Sequence, residues 1–294
     1  MNKDLLRANS FAQSLAKLQS ECSDKDIIAK MKEAPYMGVL DVHFPYLENC
    51  GFSMLQLNDD GVAGTIFWRT DGLYEPGSLF IWSTFAARVS NIADIGSYTG
   101  IYSLLCATVN PKAKIHAFEI VSYIYSRLIN NCQINGFRIH CHRLALCDTN
   151  KIAELSLRFG PPYMSTGTSI LSGDNQSSFH EQVRYARYDD LGLPAPELVK
   201  IDVEGAECIV LKGMKGSLKR RPYLLMEVLS NQPPDEILSF LPPDYSFYFI
   251  DESTNRITKP LTNNKDIWRR SSQNRNLFFY PNECYHNLIP YCFD

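Results

Sequence analysis

Three acidic side chains follow apolar segments of the sequence that are predicted as buried strands. Asp202 and Glu204 come directly after the mainly apolar run Leu198–Ile201, and Glu227 lies near the end of the run Tyr223–Val228. Burying an unpaired carboxylate is costly, so acids at such positions indicate a functional role. They predict proton transfer by Asp202 or Glu204, or a divalent cation such as Mg²⁺ or Mn²⁺ held by Asp202 and Glu227. The alternative is that Asp202 pairs with a nearby lysine or caps the next helix.

A glycine-containing turn lies between a predicted strand and a predicted helix. Its sequence, over residues 94–100, is Asp-Ile-Gly-Ser-Tyr-Thr-Gly. Glycines let a ligand approach the backbone, and the free N–H groups at the start of a helix favour a nucleotide-like cofactor. The expected cofactor-binding residues of this turn are Asp94, Gly96, Ser97, Tyr98, Thr99 and Gly100.

The chemistry around this turn favours S-adenosylmethionine (SAM) over NAD. The glycine spacing is G-x-x-x-G, whereas dinucleotide-binding turns have G-x-G-x-x-G. The carboxylate of Asp94 suits an ammonium group and would repel a pyrophosphate. Glu119 ends the next predicted strand about 20 residues after the first glycine, where an acid binds ribose hydroxyls in doubly wound folds. The alternatives are a turn without a ligand and, for Glu119, an acid that complements a helix dipole.

A parallel sheet is needed to bring these residues together. From residue 79 onward, predicted strands alternate with predicted helices, which is typical of a doubly wound α/β fold. Ligands in such folds bind at the carboxyl ends of the strands, where the acids and the glycine turn stand. The last two predicted strands, Ser246–Ile250 and Asn276–Tyr280, have no helix between them and predict an antiparallel pair.

Two segments fall outside this alternation. Residues 1–78 predict an N-terminal extension with helices and a β-hairpin, and residues 79–294 predict the α/β domain. The hairpin is assigned to Phe52–Leu57 and Val62–Trp68, because the residues between them are typical of a hairpin turn. A polar loop, Gly160–Ser178, is predicted between two strands of an insertion beside the sheet.

Composition and charge exclude several classes of protein. The chain has 294 residues, 45% of them hydrophobic, and 29 basic against 32 acidic residues give a net charge of −3. No domain-wide basic surface for nucleic acid follows from these numbers. The apolar stretches are shorter than the roughly 20 residues that span a membrane, and the N-terminus lacks a signal-peptide pattern. Nine cysteines without a C-x-x-C pair argue against a disulfide framework. We therefore expect a cytoplasmic protein.

Several motifs, in order along the chain, resemble the FkbM family of SAM-dependent methyltransferases. They are the turn 94–100, Ile115–Ile120, Asn131–Gly136, Leu144–Asp148, Tyr188–Leu191, Leu198–Glu207 and Leu224–Val228. The most specific is Lys-Ile-Asp-Val-Glu-Gly-Ala-Glu, which begins at Lys200. The chain departs from the family pattern at Ser97, Tyr98 and Ile120.

The resemblance implies a fold, an activity and a set of site residues. The fold is a class I methyltransferase (Rossmann-like) sheet of seven strands, mostly parallel, with an antiparallel last strand. The activity is methylation of a hydroxyl group on a sugar, glycan or secondary metabolite. By matching position, Asp94, Gly96 and Gly100 bind the methionine half of SAM, Glu119 lies at the ribose, Ala145 to Asp148 line the adenine side, and Asp202 lies nearest the sulfonium. Ile120, which follows Glu119, is also an expected cofactor-binding residue. Glu75, in a Tyr-Glu-Pro sequence, either covers the cofactor or belongs to a simple turn.

An aliphatic hydroxyl is about as weak an acid as water, whose pKa is about 15.7, so its methylation calls for a base or a metal. Asp202 is the first candidate, followed by Glu204 and Glu227. For His43 and His142, a structural imidazole is favoured over a catalytic base.

Competing functions are an NAD(P)-dependent oxidoreductase, a catalytically silent SAM-binding domain and a nucleic-acid methyltransferase. The expected partner is a small-molecule or glycan acceptor, without nucleic acid or a membrane span. Assembly into a homo-oligomer stays open.

Overall fold

The predicted alternation of strands and helices is confirmed. A computed structural model of the chain describes residues 9–10, 12–13, 24–47, 50–68, 74–157, 164, 179–229, 232, 234–252, 256–258 and 275–282. The helices are α1 (Asp24–Glu33), α2 (Gly61–Trp68), α3 (Pro76–Ala86), α4 (Ile101–Val109), α5 (Ser122–Ile134), α6 (Glu207–Gly213), α7 (Lys215–Leu218) and α8 (Pro234–Phe240), with a short 3-10 helix at Tyr188–Asp190. The strands are β1 (Met37–His43), β2 (Gly51–Leu57), β3 (Asn91–Ile95), β4 (Lys114–Phe118), β5 (Ile139–His142), β6 (Ala145–Leu146), β7 (Lys151–Leu157), β8 (Phe179–Ala186), β9 (Leu198–Ile201), β10 (Tyr223–Val228), β11 (Tyr245–Asp251), β12 (Arg256–Thr258) and β13 (Arg275–Pro281).

The central sheet has the strand order β12-β11-β13-β10-β9-β3-β4-β5. Neighbours from β10 to β5 pair in parallel, whereas β13 is antiparallel to both β10 and β11. This is the predicted class I methyltransferase sheet with an antiparallel last strand, extended by the three residues of β12. From β3 the chain builds the sheet outward through β4 and β5, and it then returns to place β9 on the other side of β3. Such a topological switch point is where α/β sheets bind ligands.

The two faces of the sheet are buried in separate cores. Ile92 and Leu198 belong to the core packed under α4, whereas Ala93 and Val199 belong to the core packed under α6 and α8. Burial on both faces explains why these strands are almost continuously apolar in the sequence. Since side chains alternate between faces, Lys200 must point to the same side as Leu198.

The predicted hairpin is wrong in one of its two strands. Residues 62–68 form helix α2, and β2 pairs instead with β1 in an antiparallel ladder. The Asp60 side chain caps α2, because its Oδ1 accepts hydrogen bonds from the backbone N–H groups of Val62 (2.9 Å) and Ala63 (3.1 Å). Most of α2 is buried on all sides, so its sequence lacks the polar face that distinguishes a surface helix from a strand.

The β1–β2 hairpin is attached to α5 through side-chain amides. The backbone N–H groups of Ser53 and Leu55 donate to the Oδ1 atoms of Asn135 (2.7 Å) and Asn131 (2.8 Å). Arg127 donates to the Leu55 carbonyl at 3.1 Å. The division at residue 78 stays a prediction, but the described part of the extension packs directly on the α/β domain.

The predicted insertion between β5 and β9 contains β7 and β8 in antiparallel pairing, with β6 parallel to β8. The polar loop Gly160–Ser178 lies outside the described residues apart from Met164, which bridges to Asp60. Within the described ranges, no helix is both long enough and apolar enough to cross a bilayer.

Candidate active site

The three predicted acids meet at the carboxyl edge of the sheet. Ile201 is paired with Met226 in the parallel β9–β10 ladder, so the residues that follow them, Asp202 and Glu227, are neighbours. One oxygen atom from each of Asp202, Glu204 and Glu227 lies within 4.8 Å of the others. All three side chains are half-buried.

A buried lysine determines how these acids share their charge. The Nζ atom of Lys200 lies 2.7 Å from Oδ2 of Asp202, and the Lys200 side chain has no exposed surface. Lys200 lowers the pKa of Asp202, although burial opposes this effect. Burial and the neighbouring Asp202 raise the pKa of Glu227 to about 10. Glu227 therefore holds a proton more tightly than Asp202 does.

Glu204 differs from its two neighbours. Burial, together with the charges of Asp202 and Glu207, raises the pKa of Glu204 to about 7. Its backbone has a φ of 52°, and Gly205 beside it has a φ of 98°. Left-handed backbone at a non-glycine residue is uncommon and strained, and such strain is concentrated at functional sites. The turn therefore holds a carboxyl group that can gain or lose a proton near neutrality.

Lys200 is the nearby lysine of the alternative given for Asp202, and that pairing is confirmed, whereas Tyr102 is a site residue that the sequence analysis missed. The Lys200 ammonium group lies 4.8 Å from the ring centroid of Tyr102, and the Tyr102 hydroxyl donates to Oε2 of Glu75. A continuous set of contacts thus runs from Glu75 to Asp202. The signal for Lys200 was its place two residues before Asp202, because residues i and i+2 of a strand point to the same face.

Glu75 lies in this network rather than on an isolated turn. Helix α3 starts directly after it, and the Glu252 carboxylate accepts hydrogen bonds from the N–H groups of Gly77 (2.9 Å) and Ser78 (3.0 Å) there. Burial raises the pKa of Glu75 to about 7, while Lys200 opposes the shift. Whether Glu75 contacts the cofactor stays a prediction.

The glycine turn packs directly against the start of the acidic segment. Gly96 has a φ of 79°, and a Cβ atom there would lie 1.7 Å from the carbonyl oxygen of Asp202. The Asp202 N–H group donates to the carbonyl of Ile95 at 2.9 Å. Gly96 is therefore required for close contact between two protein segments, whether or not a ligand also approaches its backbone. Ser97 fixes the turn to β4, because its Oγ accepts from the Phe118 N–H at 2.9 Å.

Asp94 lies beneath this turn and is almost fully buried, with 1% of its surface exposed. Its Oδ2 accepts a hydrogen bond from Ser103 Oγ at 2.6 Å, whereas its buried Oδ1 has no protein partner. Burial raises the pKa of Asp94 to about 6, with the Ser103 hydrogen bond acting in the opposite direction.

Glu119 is held by the backbone at the end of β4. Its two carboxylate oxygens accept hydrogen bonds from the N–H groups of Tyr98 (3.0 Å) and Val121 (2.8 Å). Burial raises the pKa of Glu119 to about 7, and these hydrogen bonds limit the increase. Tyr98, with a φ of 50°, also bonds through its hydroxyl to the Met164 carbonyl at 3.1 Å. The turn thus connects Glu119 with the insertion.

The remaining predicted cofactor residues lie around the same edge. Thr99 is buried, and its carbonyl accepts from Asn131 Nδ2 at 2.8 Å. Ile120 and Ala145 share one apolar cluster, whereas Asp148 is exposed after β6. Gly100 has a φ of 104° and starts helix α4. Their contacts with a cofactor stay predictions.

Comparison with known proteins adds a family assignment. The Methyltransferase FkbM domain matches residues 94–249, which is more than half of the chain. The hexuronic acid methyltransferase AglP of Haloferax volcanii is 27% identical over 149 residues, a match that covers 50% of this chain and 59% of AglP. The chain thus spans less than two thirds of that relative.

Two solved structures are similar to the chain. The methyltransferase FkbM from Methylobacillus flagellatus has a TM-score of 0.43 at 15% identity, over 94% of this chain and 60% of that one. A SAM-dependent O-methyltransferase from Thermotoga maritima has a TM-score of 0.42 at 12% identity, over 81% of this chain and 76% of that one. The family match begins at Asp94, the first residue of the glycine turn, and continues through β9, β10 and the acids that follow them. The chain belongs to the FkbM methyltransferase domain family.

Proposed function

We propose that the chain transfers a methyl group from SAM to a hydroxyl group of a small-molecule or glycan acceptor, with a sugar as the preferred class. The observation that carries the proposal is the acidic cluster of Asp202, Glu204 and Glu227 packed against a glycine turn at one edge of the sheet. Family membership supports methyl transfer, and the name of the Haloferax volcanii relative supports a sugar acid as the acceptor.

The residues around the turn fit the parts of SAM. Asp94 has a buried oxygen without a protein partner, which suits a positively charged amino group. A carboxylate offers about four lone-pair positions, so Glu119 keeps acceptor capacity for ribose hydroxyls beyond its two backbone hydrogen bonds. The bound cofactor supplies an electrophilic methyl group. The main work left to the protein is alignment, which can lower the barrier by roughly 7–11 kcal/mol.

Glu204 is the preferred base for the acceptor hydroxyl. A general base works best when its pKa is near the working pH, and burial brings the pKa of Glu204 to about 7. Asp202, placed first by the sequence analysis, is a weaker base because Lys200 lowers its pKa. Asp202 then orients the acceptor as an ionised hydrogen-bond acceptor, while protonated Glu227 donates.

The same acids suit a proton better than a divalent cation. Their oxygens are close enough to surround an ion, but the Lys200 ammonium group lies 2.7 Å from Asp202 and would repel one. A cation would also have to displace the proton that Glu227 holds with a pKa of about 10. The proposed reaction therefore uses the carboxylates for proton transfer and involves no step at a metal.

Two measurements test the proposal. Calorimetry with SAM, S-adenosylhomocysteine and NAD should give binding of the first two, whereas binding of NAD alone would reject the proposal. Isotopically labelled SAM is then incubated with the protein and a panel of uronic-acid glycans, neutral glycans and small phenols, followed by mass spectrometry. A labelled methyl ether on a sugar is expected. Binding without a labelled product in the panel or in cell extracts would instead indicate a catalytically silent domain.

A further inference from the structure

Three of the six histidines of the chain lie on one face of the sheet at its β4–β5 edge. His116 in β4 is paired with His140 in β5, and His142 follows two residues after His140. Alternation along the strands places all three side chains on the same face. Ala117 and Cys141 point to the opposite face, which is the face of Lys200 and Asp202. The histidines are therefore separate from the acidic cluster.

The imidazole rings are in direct contact. Nδ1 of His116 lies 3.0 Å from Nε2 of His142. The His116 ring stacks on His140 with centroids 4.9 Å apart and on His142 with centroids 5.3 Å apart. Two nitrogens bound to one zinc ion, at about 2.0–2.1 Å each and near the tetrahedral angle, lie roughly 3.3 Å apart. The facing nitrogens of His116 and His142 are already close to this separation.

Burial favours the neutral form of two of these histidines, His116 and His142. Burial and the neighbouring His142 and His140 lower the pKa of His116 to about 4, and burial lowers the pKa of His142. Neutral imidazole is the metal-binding form, and neutral rings need not release a proton at pH 7. The positive charge of Lys114 also lowers the pKa of His116.

This face is accessible from solvent at the edge strand. His140 is exposed and His142 is half-buried, whereas His116 is covered. The connection from β5 to β9 contributes strands and a short 3-10 helix in its described residues, and Phe118 stacks against His142 beside them. A third ligand from His140 requires its exposed ring to turn from the stacked position toward the pair.

We propose that His116, His140 and His142 form a binding site for a borderline transition-metal ion, with Zn²⁺ as the preferred ion. His116 and His142 supply two ligands through the facing nitrogens once the proton of the hydrogen bond between them moves to the outer nitrogen of the donor ring, His140 supplies the third after rotation, and water completes the tetrahedron. A bound ion joins the edge strand β5 to β4. The His142 carbonyl accepts from the Glu119 N–H at 3.1 Å, so the site also supports the end of β4.

Zinc titration of the full chain tests this site without SAM, so the result is independent of the proposed reaction. Zn²⁺ is titrated at pH 7.5 against a chromogenic chelator. One ion per chain with a Kd in the micromolar range or tighter is expected. His116→Ala and His142→Ala should weaken binding by about 100-fold, and His140→Ala by about tenfold, in keeping with the usual cost of disturbing a metal site.

Matched controls separate this site from other ligands. His43→Ala and His180→Ala remove histidines of β1 and β8, and Asp202→Asn with Glu204→Gln alters the acidic cluster; all should leave zinc affinity within about threefold. Visible absorption of bound Co²⁺ reports nitrogen ligands in the unmodified chain, which covers the case in which a variant fails to fold. The proposal is overturned if the unmodified chain binds no Zn²⁺ below about 100 µM, or if the control variants lose binding as fully as His116→Ala.

Discussion

The acids at the two halves of the sheet's carboxyl edge have different neighbours. On the β3–β4 side, Asp94 and Glu119 accept hydrogen bonds from uncharged hydroxyl and backbone donors. On the β9–β10 side, Asp202, Glu204 and Glu227 face one another within 4.8 Å. The first arrangement fixes positions and the second makes protonation of one acid depend on the others. Proton transfer is therefore expected on the β9–β10 side, and recognition of a ligand on the β3–β4 side.

The largest effect is expected from Glu204→Gln. The amide keeps the size of the side chain but cannot accept the acceptor's proton, so kcat should fall by about 10²–10⁴-fold. The affinity for SAM should change by less than about threefold, because Asp94 and Glu119, which are proposed to bind its amino group and ribose, lie on the other side. In the unmodified enzyme, kcat should rise with pH through about 7, where Glu204 loses its proton.

Glu236→Gln is the matched control for this variant. Glu236 lies on α8, its side chain is 45% exposed, and its contact with Lys212 is a surface ion pair. Full activity of Glu204→Gln, or an unchanged pH profile, would assign the base to another group.

Lys200→Met should test the charge balance of the β9–β10 side. Without the ammonium group, the half-buried Asp202 carboxylate loses its ion-pair partner, at a cost of about 3–5 kcal/mol in the free energy of unfolding. The double variant with Asp202→Asn should recover more than half of the loss. Urea denaturation measures both. A loss below about 1 kcal/mol in the single variant would show that the pair does not constrain the edge.

Asp94, on the β3–β4 side, should make the free energy of unfolding depend on pH. The pKa of Asp94 is raised to about 6, so the folded chain binds this proton more tightly than the unfolded chain does. The resulting stabilisation is present below the unfolded pKa and is lost as pH rises through about 6. Between pH 4.5 and 7.5 the loss should be about 2 kcal/mol.

Asp94→Asn should remove this part of the pH dependence. Urea denaturation of the unmodified chain and of the variant at pH 4.5 and 7.5 checks the prediction. The other acids are present in both proteins, so the difference between the two pH dependences reports Asp94. Equal pH dependence in the two proteins would mean that Asp94 titrates normally.

The smallest effect is expected from Glu119→Gln. The amide offers fewer acceptor positions than a carboxylate, so the affinity for SAM should fall by about tenfold, or about 1.4 kcal/mol. The value of kcat at saturating SAM should change little, since Glu119 acts on binding. Calorimetry and steady-state kinetics measure the two quantities, and Glu154→Gln, on β7 with a side chain 56% exposed, is the surface control. A fall in kcat with unchanged affinity would remove the distinction between the two sides.

Sequence reasoning located the acids because strand ends are visible in a sequence. A parallel sheet brings its carboxyl ends together, so Glu119, Asp202 and Glu227 could be assigned to one edge from apolar runs alone. Their protonation could not be predicted, because it depends on Lys200 and on distances between strands. The order of pKa values, with Asp202 lowest and Glu227 highest, required the structure.

Local patterns were less informative where burial is uniform. Val62–Trp68 has no polar face, so a buried helix and a strand looked alike, and the preceding Asp60 cap was the signal that could have decided between them. The contact between His116 and His142 depends on the register of β4 and β5, and one sequence does not contain that register.

The amide groups of Asn131 and Asn135 have a consequence for the chain as a whole. Each accepts a backbone N–H of β2, and Asn131 also donates to the carbonyl of Thr99 in the glycine turn. Removal of residues 1–78 would leave these α5 amides without their partners and would uncover the apolar surface of the remaining domain that Phe52 and Met54 cover. The amino-terminal segment and the sheet should therefore unfold in one cooperative transition.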